Sequence, residues 1–175
     1  MKILVTLDGS PFSESVLPAA ASLAQAAAGS EVRLVMVISS TEPEIWSDVP
    51  DYPMETRARV DPTGGLLPLP MPGARAVEDP SQAAQRRRVT AMEYLEGISR
   101  RYFGGRARVT VLEGDHPAKE VLRLVEVERP QVIAMATHGR TGLATIVMGN
   151  MTQAMMKSAG VPLLLVRPSG LRSAA

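Results

Sequence analysis

Residues 2–11 have the sequence KILVTLDGSP, in which a short apolar run ends at a polar turn. Continuous apolar runs of this length are typical of strands that are buried on both faces, as in parallel sheets. The turn favours a helix start, since its serine can cap a helix and its proline suits the first helical position. We expect one helix from Pro11 to a stop at Gly29, and then a second buried strand at residues 32–38. This order predicts a βαβ unit.

The alternation of helix and strand continues to residue 168. Three further apolar runs predict strands at residues 107–112, 132–136 and 163–166, and a segment with helical spacing precedes each of them. Such alternation predicts an α/β fold: a doubly wound parallel sheet of five strands with helices on both faces. We therefore expect one domain over residues 1–168, followed by a tail at residues 169–175.

Residues 41–80 interrupt this pattern, because eight of the fourteen prolines fall within them. Proline removes a backbone donor and restricts the residue before it, so neither a helix nor a central strand should persist here. We expect a long surface loop inserted in the domain, with helical spacing resuming near residue 82. Loops of this length are usually functional or disordered, and both a lid and a simple insertion remain open.

Composition excludes several classes of protein. The formal net charge is +1, from 19 basic and 18 acidic residues, so no basic footprint for nucleic acid is present. The absence of cysteine excludes disulfides, thiolate catalysis and cysteine-based zinc sites. The chain has no apolar stretch near the roughly 20 residues that span a bilayer, and its first apolar run is too short for a signal peptide. We expect a cytoplasmic protein with neither a nucleic-acid nor a membrane partner.

Candidate binding residues follow the predicted strands, because ligands of open α/β sheets bind beyond the carboxyl ends of the strands. Thr6-Leu7-Asp8 ends the first strand, Val37-Ile38-Ser39 ends the second, and Ala136 ends the fourth. After Ala136, glycines let the backbone approach a ligand closely, and Gly149-Asn150 opens a helix whose N–H groups favour an anion. Asn150 can cap that helix or donate to a phosphate. The segment predicts a phosphate site, although many such loops are simply turns.

The segment from Val132 to Pro168 resembles the C-terminal signature of the universal stress protein family. Nucleotide-binding members of that family carry a glycine, two residues, a second glycine, nine residues, and then a third glycine with serine or threonine. Gly139 and Gly149 match the second and third glycines, Ala136 stands at the first, and Asn150 stands at the serine or threonine position. Residues 2–10 and 35–38 also resemble the family, so the resemblance covers nearly the whole chain except residues 41–80.

The resemblance implies a strand order of 3-2-1-4-5 and ATP, with or without magnesium, at the carboxyl ends of strands 1 and 4. It implies that Thr6 and Leu7 line the base pocket, that Val37 meets adenine through its backbone, and that Asp8 lies near the ribose and reaches magnesium only through the nucleotide. It also implies a homodimer formed through residues 163–167, an edge strand open to pairing. The other residues that the resemblance assigns to the nucleotide site are Met135, Ala136, Gly139, Arg140, Gly149, Asn150, Met151 and Thr152.

Two residues depart from the family pattern, and other interpretations stay open. The Ala136 methyl is tolerated in ordinary β geometry but weakens binding if the backbone there needs a positive φ or if a phosphate packs against that carbon. Asn150 keeps hydrogen-bonding capacity without the hydroxyl. Instead of facing a ligand, Asp8 can cap the first helix or satisfy the turn at Gly9, and its position at the end of a strand favours neither interpretation over the other. His138 supports the loop in our interpretation, since no G-x-S-x-G elbow supplies it with a nucleophile.

Three functions are consistent with the sequence. The first is an ATP-binding stress-response or signalling module with little or no hydrolysis. The second is a dimeric stress protein that acts through protein contacts without a nucleotide. The third is a slow ATP hydrolase or phosphotransferase; for this one the sequence supplies one acid, one arginine and backbone amides, which suffice to hold a nucleotide but are sparse for phosphoryl transfer.

Overall fold

The computed structural model describes residues 1–39, 80–137 and 149–168. Most of the predicted insertion, the tail, and the predicted site residues Gly139 and Arg140, together with His138, lie outside this part. The strands are β1 (Lys2–Leu7), β2 (Glu31–Ile38), β3 (Arg108–Glu113), β4 (Val132–Ala136) and β5 (Leu163–Val166). The helices are α1 (Pro11–Glu14), α2 (Leu17–Ala26), α3 (Pro80–Phe103), α4 (Pro117–Glu128) and α5 (Asn150–Ser158).

The five strands form one sheet in the order β3-β2-β1-β4-β5, and every pair is parallel. This confirms the predicted fold class and strand order. Strand β1 lies in the centre, where Val5 is in register with Leu34 of β2 and with Ala134 of β4. The chain runs outward from β1 in both directions, so the order reverses between β1 and β4. A crevice opens at the carboxyl ends of strands at such a point.

Both faces of the sheet are buried, which explains why its strands are apolar at successive positions. On one face Ile3, Val5 and Leu7 pack with residues of α2 and α3. On the other face Leu4 and Val35 pack with residues of α4 and α5. The two helical layers are thereby anchored to the same central strand.

The single helix expected after the first turn is wrong, because the chain forms α1 and α2 instead. Pro18 lies in the first turn of α2. Its missing N–H and its ring are tolerated there but not inside a continuous helix. The insertion also ends slightly earlier than expected: Pro80 begins α3, again at a first helical position.

Among residues 1–39, 80–137 and 149–168, no helix combines the length and the apolar character that crossing a membrane requires.

Candidate functional site

A cavity of about 240 Å³ lies at the carboxyl ends of β1, β2 and β4, beside the first turns of α4 and α5. Nine of the twelve predicted site residues line it. They are Thr6, Leu7, Asp8, Val37, Met135, Ala136, Gly149, Met151 and Thr152. Asn150 is exposed and does not contribute to the lining. Gly139 and Arg140 lie outside the described residues.

Four further residues, which the sequence does not single out, also line the cavity. They are Ser13, Val35, Pro117 and Val121. The two valines are also core residues, so their apolar type carries no signal of a site. Pro117 begins α4 directly after the turn that follows β3, three residues after Gly114, and this position at the carboxyl end of a strand is a weak indication of a binding site. Ser13 stands three residues after Ser10, a spacing that indicates a capped helix rather than a ligand.

The turn after β1 is built around the Asp8 side chain. Its Oδ1 accepts hydrogen bonds from the Ser10 N–H at 2.9 Å and from the Ser10 Oγ at 2.6 Å. Gly9 has a φ of 81°, which favours glycine, and this lets the chain reverse after one residue. The Ser10 Oγ in turn accepts from the Ser13 N–H at 3.2 Å, so Ser10 caps α1. Asp8 therefore satisfies the turn and does not cap the helix.

Helix α5 presents its N-terminus to the cavity. Gly149 is the residue before its first turn, with φ −60° and ψ 153°, and among the described residues no side chain makes a cap hydrogen bond there. The first N–H bonded within the helix is that of Gln153, which donates to the Gly149 carbonyl at 3.1 Å. The preceding N–H groups have no partner in the helix and, with the helix dipole, favour an anion. Of the two roles left open for Asn150, the structure excludes the helix cap, because Asn150 is already the first residue of the helix and Gly149 takes the cap position.

Ala136 is the last residue of β4 and is buried, with 7% of its surface exposed. Among the described residues, Arg129 is the one non-glycine residue with a positive φ, so Ala136 has ordinary strand geometry. Because a strand conformation places no restriction on a side chain, the backbone at this position tolerates alanine in place of glycine. The methyl takes up space in the cavity without straining the chain.

The pairing of β2 with its two neighbouring strands directs the Val37 carbonyl toward the cavity. Main-chain groups of successive residues in a strand point to opposite sides, and the Ile38 carbonyl accepts from the Gly114 N–H on the β3 side at 3.0 Å. The Val37 carbonyl therefore faces the β1 side, where β1 has already ended at Leu7. A continued β1 would donate to it from residue 9, but the turn at Gly9 removes that donor. The result is a main-chain acceptor beside the cavity.

Tyr94 of α3 contacts the helix that follows the Asp8 turn. Its hydroxyl donates a hydrogen bond to Glu14 Oε1 at 3.0 Å. The pKa of Tyr94 is raised well above its ordinary value, first by burial, then by the hydrogen bond to Glu14 and by the negative charges of Glu14 and Asp8. The neighbouring Ser13 hydroxyl acts in the opposite direction. Tyr94 therefore stays a protonated donor at neutral pH.

The described walls of the cavity are mostly apolar, with Thr6, Asp8, Ser13 and Thr152 as the polar side chains. No histidine, lysine or arginine belongs to the described lining, so positive potential there comes from backbone N–H groups. In the described ranges no group of three or more histidine, aspartate or glutamate side chains could hold a metal ion by itself. The arrangement suits a ligand that has a flat apolar ring, which would lie between the apolar walls, and an anionic group, which would lie at the N-terminus of α5.

The sequence model described as the Universal stress protein family matches residues 1–167. The chain therefore belongs to the universal stress protein family. Two universal stress proteins of Methanocaldococcus jannaschii, MJ0531 and MJ0577, are 34% and 33% identical to it over 65 and 51 residues. These matches cover 37% and 29% of this chain, and the chain spans only 38% and 32% of the two relatives.

Solved structures share the fold over nearly the whole chain. The structure of MJ0577 superposes with a TM-score of 0.64 at 22% identity and covers 97% of this chain and 96% of its own. An Arabidopsis thaliana universal stress protein family protein with AMP bound gives a TM-score of 0.53 at 14% identity, covering 97% and 93%. A universal stress protein in complex with cAMP gives 0.58 at 12% identity, covering 97% and 98%.

Proposed function

We propose that this protein binds an adenine nucleotide, ATP, in the cavity at the carboxyl ends of β1 and β4 and acts as a stress-response or signalling module. The observation that carries the proposal is the cavity itself, which joins apolar walls to the uncapped N-terminus of α5 at Gly149. Support also comes from two family structures that hold AMP and cAMP. Both ligands contain adenine, whereas their phosphates differ.

The base would lie between the apolar side chains of the cavity, with its amino group toward the Val37 carbonyl. Val35, Val121 and Met135 supply the walls, and all three are buried. A carbonyl oxygen accepts a hydrogen bond, so it suits the exocyclic amino group of adenine. Guanine carries an oxygen at the same ring position, and two facing acceptors would repel. We therefore expect ATP to bind more tightly than GTP.

The phosphates would lie at the first turn of α5. Gly149, Met151 and Thr152 line the cavity there. The N–H groups of this turn supply hydrogen-bond donors, and Gly149 has no side chain that would separate them from the ligand. Asp8 would reach magnesium only through the nucleotide, since the phosphates must complete the oxygen ligands that this ion requires. With no general base among the described lining residues, Asp8 apart, we expect little or no hydrolysis.

The test is to denature the freshly purified protein and examine the supernatant by absorbance at 260 nm and mass spectrometry. A thermal shift with added ATP and magnesium, compared with GTP, completes it. We expect an adenine nucleotide or a rise in Tm that is larger with ATP. No nucleotide and no shift would contradict the proposal and favour the nucleotide-independent function. Phosphate release that is lost in Asp8→Ala, in a variant that still binds ATP, would favour the hydrolase.

We also propose a homodimer formed through β5, which is the last strand at one edge of the sheet. The Ile133 N–H donates to the Pro162 carbonyl at 3.0 Å, and the Thr137 N–H donates to the Val166 carbonyl at 2.9 Å. Even-numbered residues of β5 thus face β4. The intervening residues Leu163 and Leu165 turn their main-chain groups toward the open edge, where a second copy could pair with them.

Charged substitutions on this strand should produce monomers. We expect Leu164→Lys combined with Val166→Glu to halve the mass measured by light scattering, because both residues lie on the strand that would pair with the second copy. Their side chains are half-buried against the core of their own chain. Val109→Lys is the matched control, since Val109 is also half-buried but lies on β3 at the opposite edge. An unchanged mass in the β5 variant, or an equal change in the control, would count against a dimer through β5.

A further inference from the structure

Hydrogen bonds connect the Asp8 turn, through α1, to α3, and no described residue of α3 lines the cavity. Asp8 binds Ser10 through its side chain, and its own N–H donates to the Ser13 Oγ at 3.2 Å. The Ser13 Oγ donates to the Ser10 carbonyl at 2.9 Å, and the residue is buried, with 4% of its surface exposed. Glu14, the next residue, accepts from the Tyr94 hydroxyl at 3.0 Å. Tyr94 belongs to α3 and packs, partly buried, against the core cluster between the sheet and the helices α2 and α3.

Helix α1 depends on such external contacts for its position. It comprises only Pro11–Glu14, and the turn at Ser15 and Val16 separates it from α2. Isolated helices of one turn are not stable in water, so contacts with the rest of the protein must hold α1 in place. The Tyr94–Glu14 bond is a contact of this kind between residues 80 positions apart in the sequence. The turn that carries Asp8 and Ser13 into the cavity is thus held from α3.

We infer that Tyr94 is a positioning residue for the nucleotide site: its hydroxyl holds Glu14, and thereby fixes α1 with the Ser10 and Ser13 hydroxyls that orient Asp8. Tyr94 does not itself line the cavity, so its effect passes through Glu14 and the neighbouring Ser13 of α1. This inference rests on the proposed function for its effect on affinity. Its effect on the Asp8 turn does not need a nucleotide.

The test begins with Tyr94→Phe, which removes one oxygen and keeps the ring that packs on the core. We expect the affinity for a fluorescent methylanthraniloyl-ATP to fall about three- to tenfold, the range in which residues that couple to a site indirectly act. Glu14→Ala should weaken binding to the same extent, while Glu14→Gln, whose amide oxygen still accepts the bond, should restore most of it. The Tyr94→Phe and Glu14→Ala double variant should be no weaker than either single variant, because both remove one and the same bond.

Tyr102→Phe is the matched control. Tyr102 is on the same helix and is also half-buried, but it lies beside residues of α2 and the loops at the amino ends of the strands, away from the nucleotide cavity. We expect its affinity for the probe to equal that of the wild type. Unchanged affinity in Tyr94→Phe, an equal loss in Tyr102→Phe, or losses that multiply in the double variant would overturn the inference.

Hydrogen exchange of the nucleotide-free protein separates this inference from the proposed function. Tyr94→Phe should speed exchange of the amides of residues 8–14 about threefold or more, because local opening of this segment becomes easier, and Tyr102→Phe should not. Faster exchange without any nucleotide binding in the wild type would contradict the proposed function and leave the positioning role standing. Unchanged exchange would contradict the positioning role, whatever the protein binds.

Discussion

Replacing Gly149 with aspartate should lower nucleotide affinity by at least about 100-fold, because a carboxylate near 4 Å from a phosphate costs about 4 kcal/mol at the effective dielectric constant of a protein surface. The fold should tolerate the change. Gly149 has φ −60°, which any residue adopts, and a Cβ built there meets no atom of the described residues within 4 Å. Aspartate is moreover a preferred residue before a helix and should raise the stability of α5 by a few tenths of a kcal/mol, roughly, over glycine.

Gly149→Asn is the matched control, since asparagine has nearly the same shape and caps a helix as well but carries no charge. We expect its affinity to stay within about tenfold of the wild type, because only the repulsion is absent. Titration with the fluorescent ATP analogue measures affinity, and thermal unfolding measures stability. Full affinity in the aspartate variant would place the phosphates away from α5, whereas a collapse of Tm would show a structural role for Gly149.

Leu95→Ala should cause the largest loss of stability among simple truncations of α3. Leu95 is fully buried, with 0% of its surface exposed, in the cluster between α3 and the sheet. Removing a buried leucine costs about 2–5 kcal/mol, since the core loses transfer energy and keeps a cavity. For a chain of this length that corresponds to a fall in Tm of roughly 5–15 °C.

Val89→Ala provides the comparison on the same helix, because 45% of the Val89 surface is exposed. We expect it to change the free energy of unfolding by less than about 0.5 kcal/mol. Urea unfolding at equal protein concentration measures both variants, with an unchanged denaturant dependence as the sign of a simple stability change. Equal losses at the two positions would mean that α3 is not anchored through Leu95.

The strands were predictable because each is a compact apolar run between turn residues. The predicted limits of β4 and β5 match the structure, β2 begins one residue earlier than predicted, and β3 is shifted by one residue. The break between α1 and α2 was missed, since Pro18 falls within a continuous helical pattern whose interruption only the folded chain reveals.

Much of the cavity was predictable as well, because the ends of parallel strands collect at one edge of the sheet. Thr6, Asp8 and Ala136 were placed there by position alone. Val35 and Val121 were not, because a valine that faces a cavity has the same sequence pattern as one that faces the core. The open Val37 carbonyl depends on the register of three strands, and the Tyr94–Glu14 bond joins distant segments, so neither leaves a local pattern.

The central place of β1 has a consequence for synthesis of the chain. Its first partner, β2, follows at once, but its second partner, β4, is made only after most of the chain has left the ribosome. Until then one edge of β1 lacks its neighbour, and the crevice between β1 and β4 has no second wall. The cavity at the carboxyl ends of β1 and β4 therefore forms only after β4 and α5 have been made, and a form truncated before β4 should not bind the proposed nucleotide.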